Sequence, residues 1–220
     1  MTSSILTDQE ISVTTLSSDL RTHTAKAHED AEQSDFMSSL LKGNLDQEAF
    51  IKLQEQLWLV YAALEAVVRA SADDPRGAAL LDFRLERTAT LENDLDILTG
   101  GAAWREKVSA TPATADYVAR LEDIEQKKDF PRIVAHHYVR YLGDLSGGQV
   151  IARLVNREYD VPEEALSFYR FEELGKLKVY KDNYRAELDA LQLTAPEREI
   201  LLEEASDVFA FNQQLFQSLS

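Results

Sequence analysis

Apolar residues recur at intervals of three and four along most of the 220-residue chain, which is the spacing of amphipathic helices. No stretch alternates between apolar and polar positions in the manner of a β-strand. The longest pattern predicts a helix over 131–158, with a proline in its first turn. Further helices are predicted, in chain order, over 12–33, 47–70, 82–98, 112–127, 173–191 and 196–218.

Helix starts and turns divide this pattern into separate elements. Residues 7–10 and 194–197 both read Thr-x-x-Glu, the spacing of a capping box, and Asp46 is placed to cap the helix after it. The breaks between helices are too short to be domain linkers. The sequence therefore predicts a single all-helical domain over 1–220, with about 1–12 as a loosely ordered extension.

Three glycines, Gly143, Gly147 and Gly148, fall inside the longest predicted helix. Glycine in a helix interior costs about 1 kcal/mol relative to alanine, so the cluster costs about 3 kcal/mol. Such a cost indicates a helix that bends or a backbone that something approaches closely. Because Asp144 lies within the cluster, we expect a flat ligand there, with chemistry above it.

Composition excludes several classes of function. A net charge of −16 argues against nucleic acid or an anionic membrane as partner, since both require a basic surface. The absence of cysteine excludes disulfides and thiolate-bound metals and fits a reducing cytoplasm. The first residues lack the basic and apolar segments of a secretory signal, and the longest apolar run, 57–64, is too short to span a bilayer. We therefore expect a soluble, cytoplasmic protein without a membrane anchor.

Among the four histidines, His28 has the surroundings of a metal ligand. Small residues flank it on its helical face, and Glu32 follows one turn later, where it can accept a hydrogen bond from the ring nitrogen that is not used for ligation. Arg21 lies about 10 Å earlier along the same face, within reach of a ligand carboxylate. An exposed His–Glu pair is the alternative interpretation. His136 and His137 are expected to pack or to form hydrogen bonds.

Arg140 and Asp144 are one turn apart, so they form either a structural ion pair or, beside exposed glycines, a site for ordered water. Tyr61 lies in an apolar helix and needs a partner, for which a carboxylate on a facing helix is suitable. Lys178, Lys181 and Arg185 share a helical face. That face is either an anion clamp or a solvated basic surface.

An all-helical protein with acids and histidines also suggests a di-iron bundle. That class requires Glu-x-x-His pairs, and no histidine here has an acid three residues before it. A single histidine with a neighbouring acid and a glycine-lined surface instead suits a five-coordinate haem.

The segment 140–149, Arg-Tyr-Leu-Gly-Asp-Leu-Ser-Gly-Gly-Gln, resembles the distal-helix signature of the haem oxygenases. Residues 24–32, followed by 36–37 and 42–43, are similar to the family's proximal helix. The resemblance continues through Tyr61, 134–138 and 212–216, and so covers almost the whole chain. It implies a helical haem oxygenase fold in which haem lies between a proximal and a glycine-rich distal helix, as in the soluble bacterial members, which release iron from haem.

The resemblance also implies a role for each site residue. His28 is the expected iron ligand, with Glu32 on its other nitrogen, and Gly143 and Gly147 let the distal helix lie against the haem. Asp144 is expected to organise water above the iron, in a network that Tyr61 and Arg140 extend. Gly143 is counted with these three as catalytic. The remaining contacts expected for the propionates and the haem faces are Arg21, Met37, Tyr138, Gly148, Lys176, Lys181, Arg185 and Phe216.

The implied reaction converts haem b, with dioxygen and electrons, to biliverdin, carbon monoxide and ferrous iron, with cleavage expected at the α-meso carbon. The electrons are expected from a ferredoxin or a flavin or NAD(P)H reductase. A non-enzymatic haem carrier or sensor on the same fold is the alternative, although a carrier needs no distal water network. A structural protein with a glycine hinge would not explain His28 with Glu32.

Overall fold

The computed structural model describes residues 14–220, and over this range the chain forms nine α-helices and no strand. The predicted all-helical class is therefore confirmed. The predicted capping box at 7–10 and the extension at 1–12 lie outside the described residues. The helices are α1 Leu16–His23, α2 Ala25–Glu32, α3 Asp35–Leu41, α4 Gln47–Ala70, α5 Thr88–Thr99, α6 Pro112–Lys127, α7 Phe130–Glu158, α8 Leu177–Asp189 and α9 Ala195–Gln217.

Helices with a clear start in the sequence have the predicted bounds within two residues. The Asp46 carboxylate accepts a hydrogen bond from the Ala49 amide at 2.8 Å and caps α4. The capping box of α9 is complete, since Thr194 accepts from the Glu197 amide and the Thr194 amide donates to Glu197 at 2.8 Å. These side chains satisfy amides that the first helical turn leaves without partners.

The predicted helix over 12–33 is wrong in two respects, because within the described residues it begins only at Leu16 and is broken at Thr24 into α1 and α2. The Thr24 hydroxyl donates to the Leu20 carbonyl at 2.8 Å, a local bond that competes with regular helix geometry. The predicted helix over 82–98 begins only at Thr88, whose amide donates to the Glu65 carboxylate at 2.9 Å. Likewise the predicted helix over 173–191 begins at Leu177, after Gly175 with φ of 66°.

One helix, α3, was absent from the sequence prediction. It has seven residues, too few for a periodic pattern, and Ser34 caps it through the Met37 amide at 3.4 Å. None of the described helices combines the length and the apolar character needed to cross a membrane.

Helix α9 packs along α7 and also contacts α1, α2, α3 and α6. A buried charge cluster supports this packing: the Glu204 carboxylate of α9 lies 2.9 Å from Nε2 of His136 and also pairs with Arg120 and Arg132. His137 lies 2.8 Å from the Tyr184 hydroxyl. Both histidines are fully buried, so their expected role in packing and hydrogen bonding is confirmed. Helices α2 and α7, each held by α9, have a cavity between them.

Candidate functional site

A cavity of about 820 Å³ lies between α2 and α7, with α9 along its side. Its walls are mainly apolar, and its polar groups come from a few positions. The predicted site residues that line it are Arg21, His28, Glu32, Met37, Tyr138, Arg140, Gly143, Asp144, Gly147, Gly148, Arg185 and Phe216. Residues that are far apart in the sequence are thus brought into one site.

The α7 wall presents bare backbone at two glycines. A Cβ placed on Gly143 or Gly147 would meet no heavy atom of the described chain within 4 Å, so both positions face open space. Gly148 is different, because a Cβ there would lie 3.1 Å from the Tyr169 ring. A flat ligand can therefore approach the α7 backbone closely at the first two glycines, whereas the third is required by packing.

The α2 wall carries one imidazole. The His28 side chain is about half exposed (54%) and borders the cavity, and its Nε2 lies 3.6 Å from Oε1 of Glu32. That distance allows an ionic contact and is too long for a hydrogen bond, so Glu32 lies beside His28 without holding its ring here. Phe209 of α9 meets the imidazole edge-on, with 5.4 Å between the ring centroids. His23 is exposed and does not line the cavity.

A largely buried polar network joins the α7 wall of the cavity to α4 and α9. The Tyr61 hydroxyl of α4 donates to the Asp144 carboxylate, which confirms that this phenol has an acid on a facing helix. Arg140 donates from Nη2 to the Tyr61 oxygen at 3.0 Å and from Nη1 to Asn212 at 2.7 Å. Arg140 and Asp144 form no direct ion pair within the described residues, because the Tyr61 hydroxyl lies between them. The network therefore fixes both side chains from α4 and α9.

Burial gives Asp144 an unusual proton affinity. It raises the pKa of the Asp144 carboxyl to about 6, although the Arg140 charge and the Tyr61 hydrogen bond act to lower it. Burial also raises the pKa of Tyr61 well above its ordinary value, so the phenol keeps its proton. A carboxyl group that titrates near neutral pH can both accept and release a proton during a reaction.

Cationic side chains gather at another part of the cavity wall. Burial raises the pKa of the Tyr138 hydroxyl, while Arg185 and Arg21, which lie close to it, act to lower it. These three residues line the cavity, but Lys176 and Lys181 do not. Lys181 instead reaches α7, where its Nζ lies 3.2 Å from Oγ of Ser146. An anionic group of a ligand would thus meet the two arginines and Tyr138 first.

Sequence reasoning missed Asn212 of the polar network, and for the wall residue Phe209 it left core and pocket wall both open. Asn212 is buried in α9. The sequence feature that could have identified it is an amide side chain among apolar residues on one helical face. Phe209 lies one turn earlier, in an aromatic-rich segment that is typical of a core as well as of a pocket wall. Elsewhere in the described chain, no group of three acidic or histidine side chains converges to form a metal site, so the di-iron alternative has no ligand set there.

Comparison with known proteins identifies relatives over nearly the whole chain. The family model described as "Heme oxygenase" matches residues 14–218. The chain is 35% identical over 207 residues to "Heme oxygenase 1" of Bos taurus, a match that covers 93% of this chain and 71% of that protein. It is 34% identical over 209 residues to "Heme oxygenase" of Pyropia yezoensis, which covers 94% and 87%.

Two solved structures have the same arrangement of helices. Heme oxygenase-1 of the cyanobacterium Synechocystis, solved in complex with heme, matches with a TM-score of 0.89 and 32% identity, and the match covers 94% of this chain and 93% of that one. Heme oxygenase of Leptospira interrogans matches with a TM-score of 0.87 and 32% identity, covering 92% and 98%.

The proton affinity of Asp144 predicts a pH-dependent effect of Asp144→Asn on stability. The pKa is about 6 in the folded chain and 3.8 for an ordinary aspartate, so ionisation opposes folding, and the parent loses stability as pH rises through this window. Asparagine cannot ionise. The stability of the ligand-free variant relative to the parent should therefore increase between pH 4 and 7, by on the order of 2 kcal/mol.

Denaturant unfolding at several pH values measures this difference. Asp116→Asn, which removes an exposed carboxylate of α6, is the matched control and should show little change with pH. A difference between Asp144→Asn and the parent that stays constant from pH 4 to 7 would contradict the raised pKa.

Proposed function

The chain belongs to the haem oxygenase family, and on that premise we propose that the cavity between α2 and α7 holds haem as the substrate, with His28 as its axial ligand. The reaction of this family yields biliverdin, carbon monoxide and iron from haem. One observation carries the proposal: a single cavity joins an imidazole on α2 to bare backbone and one titratable acid on α7.

The residues around the cavity fit a flat, dianionic ring. Gly143 and Gly147 leave the α7 backbone open to a planar face, and the partly exposed imidazole of His28 can reach a metal at the ring centre. Met37 and Phe216 supply apolar wall, and Tyr169, packed against Gly148, belongs to the same wall.

Arginine at the cavity suits the carboxylates of such a ring. Arg21 and Arg185, with the Tyr138 hydroxyl, are the first partners proposed for the propionates. Lys181 is proposed as an additional charge, which must leave Ser146 to make the contact, and Lys176 as a weaker one at the exposed start of α8. A planar guanidinium can contact a carboxylate through two parallel hydrogen bonds, so it orients the ring edge more strictly than the point charge of a lysine does.

Bound haem supplies the iron centre that binds and activates dioxygen. The contribution of the chain is to hold a proton at Asp144, whose Oδ2 accepts from Tyr61 while Oδ1 has no partner within the described residues. Oδ1 can therefore hold a water molecule and pass a proton through it into the cavity, since its pKa of about 6 favours exchange near neutral pH. Arg140, fixed by Asn212, keeps Tyr61 in place.

The polar network favours the enzyme over a haem carrier. A carrier needs His28 and the apolar walls, whereas burial of Arg140, Tyr61 and Asp144 serves no purpose in simple binding and carries a desolvation cost. The backbone at Gly143, next to Asp144, belongs to the same catalytic wall because it admits the ring to within reach of the acid.

We expect His28→Ala to weaken haem binding roughly tenfold or more, because a coordinate bond worth more than about 1.4 kcal/mol is lost. Titration of the purified protein with hemin, followed in the Soret band, measures both affinity and ligation. His23→Ala is the matched control, since His23 is exposed and lies outside the cavity wall. A His28→Ala protein with the parent's affinity and spectrum would overturn the assignment.

The electrons are proposed to come from a redox protein of the ferredoxin or flavin reductase class that docks on the basic face of α8. That face contains Lys178, which is 90% exposed, Lys181 and Arg185, and Arg185 also lines the cavity. Asp182 neutralises part of the charge, at 3.0 Å from Lys178 and 3.3 Å from Arg185. A basic face beside the cavity, on a chain of net charge −16, suits a donor with an acidic surface.

Lys178→Glu should therefore slow haem turnover with an acidic ferredoxin at low ionic strength, because it weakens the encounter. Turnover with ascorbate, which needs no docking surface, should stay at the parent rate. Lys107→Glu makes the same charge change at an exposed position outside the cavity wall and should leave both rates unchanged. Equal rates for the two variants with the ferredoxin would exclude this face.

A further inference from the structure

The aromatic ring of Tyr169 packs against α7 on a face next to the two open glycines. Tyr169 belongs to a short 3₁₀ turn, Ser167–Tyr169, in the segment between α7 and α8. Its Cδ1 lies 3.1 Å from the position that a Cβ on Gly148 would occupy. A side chain at residue 148 would therefore force the ring and the backbone apart by a few tenths of an ångström.

Hydrogen bonds hold Tyr169 at both of its ends. Its hydroxyl accepts from Nε2 of Gln54 at 3.3 Å, and its carbonyl accepts from Nε2 of Gln149 at 2.6 Å. Phe168 meets the ring edge-on, with 4.8 Å between centroids. A ring fixed at both ends cannot move aside easily.

Gln54 is an unusual residue for its place. It is buried in α4, between the cavity-lining Leu53 and Leu57, and its Oε1 has no partner among the described residues. A buried unpaired carbonyl costs about 1–3 kcal/mol. An apolar side chain would avoid that cost, so the hydrogen bond to Tyr169 is the specific property that the amide adds.

Two tyrosines thus contact α7 at positions one turn apart, and Tyr169 also borders the cavity. Asp144 and Gly148 are four residues apart and share a helical face, which is rotated about 100° from the face of Gly143 and Gly147. Tyr61 of α4 holds Asp144, and Tyr169, tied to Gln54 of α4, contacts Gly148. The position of the open glycine face relative to α4 is therefore set at two points.

We propose that Tyr169, held by Gln54, is a positioning residue that sets how closely α7 approaches the haem and thereby which meso carbon stays accessible. The inference rests on the proposed function, in which Gly143 and Gly147 cover one haem face. The energy of a close-packed contact rises steeply as atoms overlap. A shift of a few tenths of an ångström at Gly148 therefore changes the space that is left for the haem. Tyr169 also borders the cavity beside Gly148, and its proposed role is exerted through α7, which its ring contacts there.

Substitutions on the two sides of the contact should act in opposite directions. Gly148→Ala places a methyl group 3.1 Å from Cδ1 of Tyr169, so the ring and α7 must move apart by a few tenths of an ångström, and hemin affinity should fall roughly fivefold or more. Tyr169→Leu removes the support and lets α7 recede. It should bind hemin with a changed ferric absorption spectrum, because more water reaches the iron, and yield a mixture of biliverdin isomers.

Two milder variants separate the hydrogen bond from the bulk of the ring. Tyr169→Phe and Gln54→Leu keep the core filled and remove only the hydrogen bond between residues 54 and 169. Both variants should fold with parent-like thermal stability and still give a broader mixture of biliverdin isomers. Tyr180→Phe removes a comparable hydroxyl, which donates to Asp82 at 2.9 Å outside the cavity wall, and should leave the isomers unchanged.

The experiment is chromatography of the biliverdin isomers, together with the ferric hemin spectrum and hemin affinity of each variant. A single isomer and a parent-like spectrum in Tyr169→Phe, Gln54→Leu and Tyr169→Leu would overturn the positioning role. The ferric spectrum and affinity need no turnover. A parent that bound hemin without degrading it would contradict the proposed function, while the spectra of the variants would still test Tyr169.

Discussion

The structure depends on one constraint: α7 must present bare backbone at Gly143 and Gly147 and still remain a helix. Each glycine costs about 1 kcal/mol of helix stability. The cost is offset by the length of α7, by its cap at Asp129 and by packing along α9. Tyr61 and Tyr169 contact the helix on the neighbouring face, at Asp144 and Gly148. The two glycines that weaken the helix therefore lie where a flat ligand can contact its backbone directly.

Two carboxylates, Glu204 buried and Asp144 half-buried, show how partners decide the role of an acid. Burial alone would raise the pKa of Glu204, but hydrogen bonds from His136 and Arg120 lower it to about 2, so it stays charged and holds helices together. Asp144 has one hydroxyl donor and a more distant arginine, and burial raises its pKa to about 6. The first acid stabilises structure, and the second has the raised pKa that the proposed proton transfer requires.

Sequence periodicity and caps predicted the long helices well, since these depend on residues close in the chain. The break at Thr24 was not predictable from periodicity, because a threonine hydroxyl bonded to its own helix leaves the apolar pattern intact. The site motif was recognisable because its glycines violate helix propensity. The partner of Asp144 on α4, and the turn of Lys181 towards Ser146, depend on how helices pack, which spacing along one helix does not contain.

The central claim is that Asp144 delivers the proton that directs bound haem towards ring opening. The most direct measurement is an absorption time course of Asp144→Ala beside the parent, each with one equivalent of hemin, ascorbate and air, with catalase present to remove free peroxide. We expect that both bind hemin, that the parent loses its Soret band as biliverdin appears, and that the variant produces little or no biliverdin. A biliverdin yield from Asp144→Ala equal to that of the parent would contradict this role for the carboxylate.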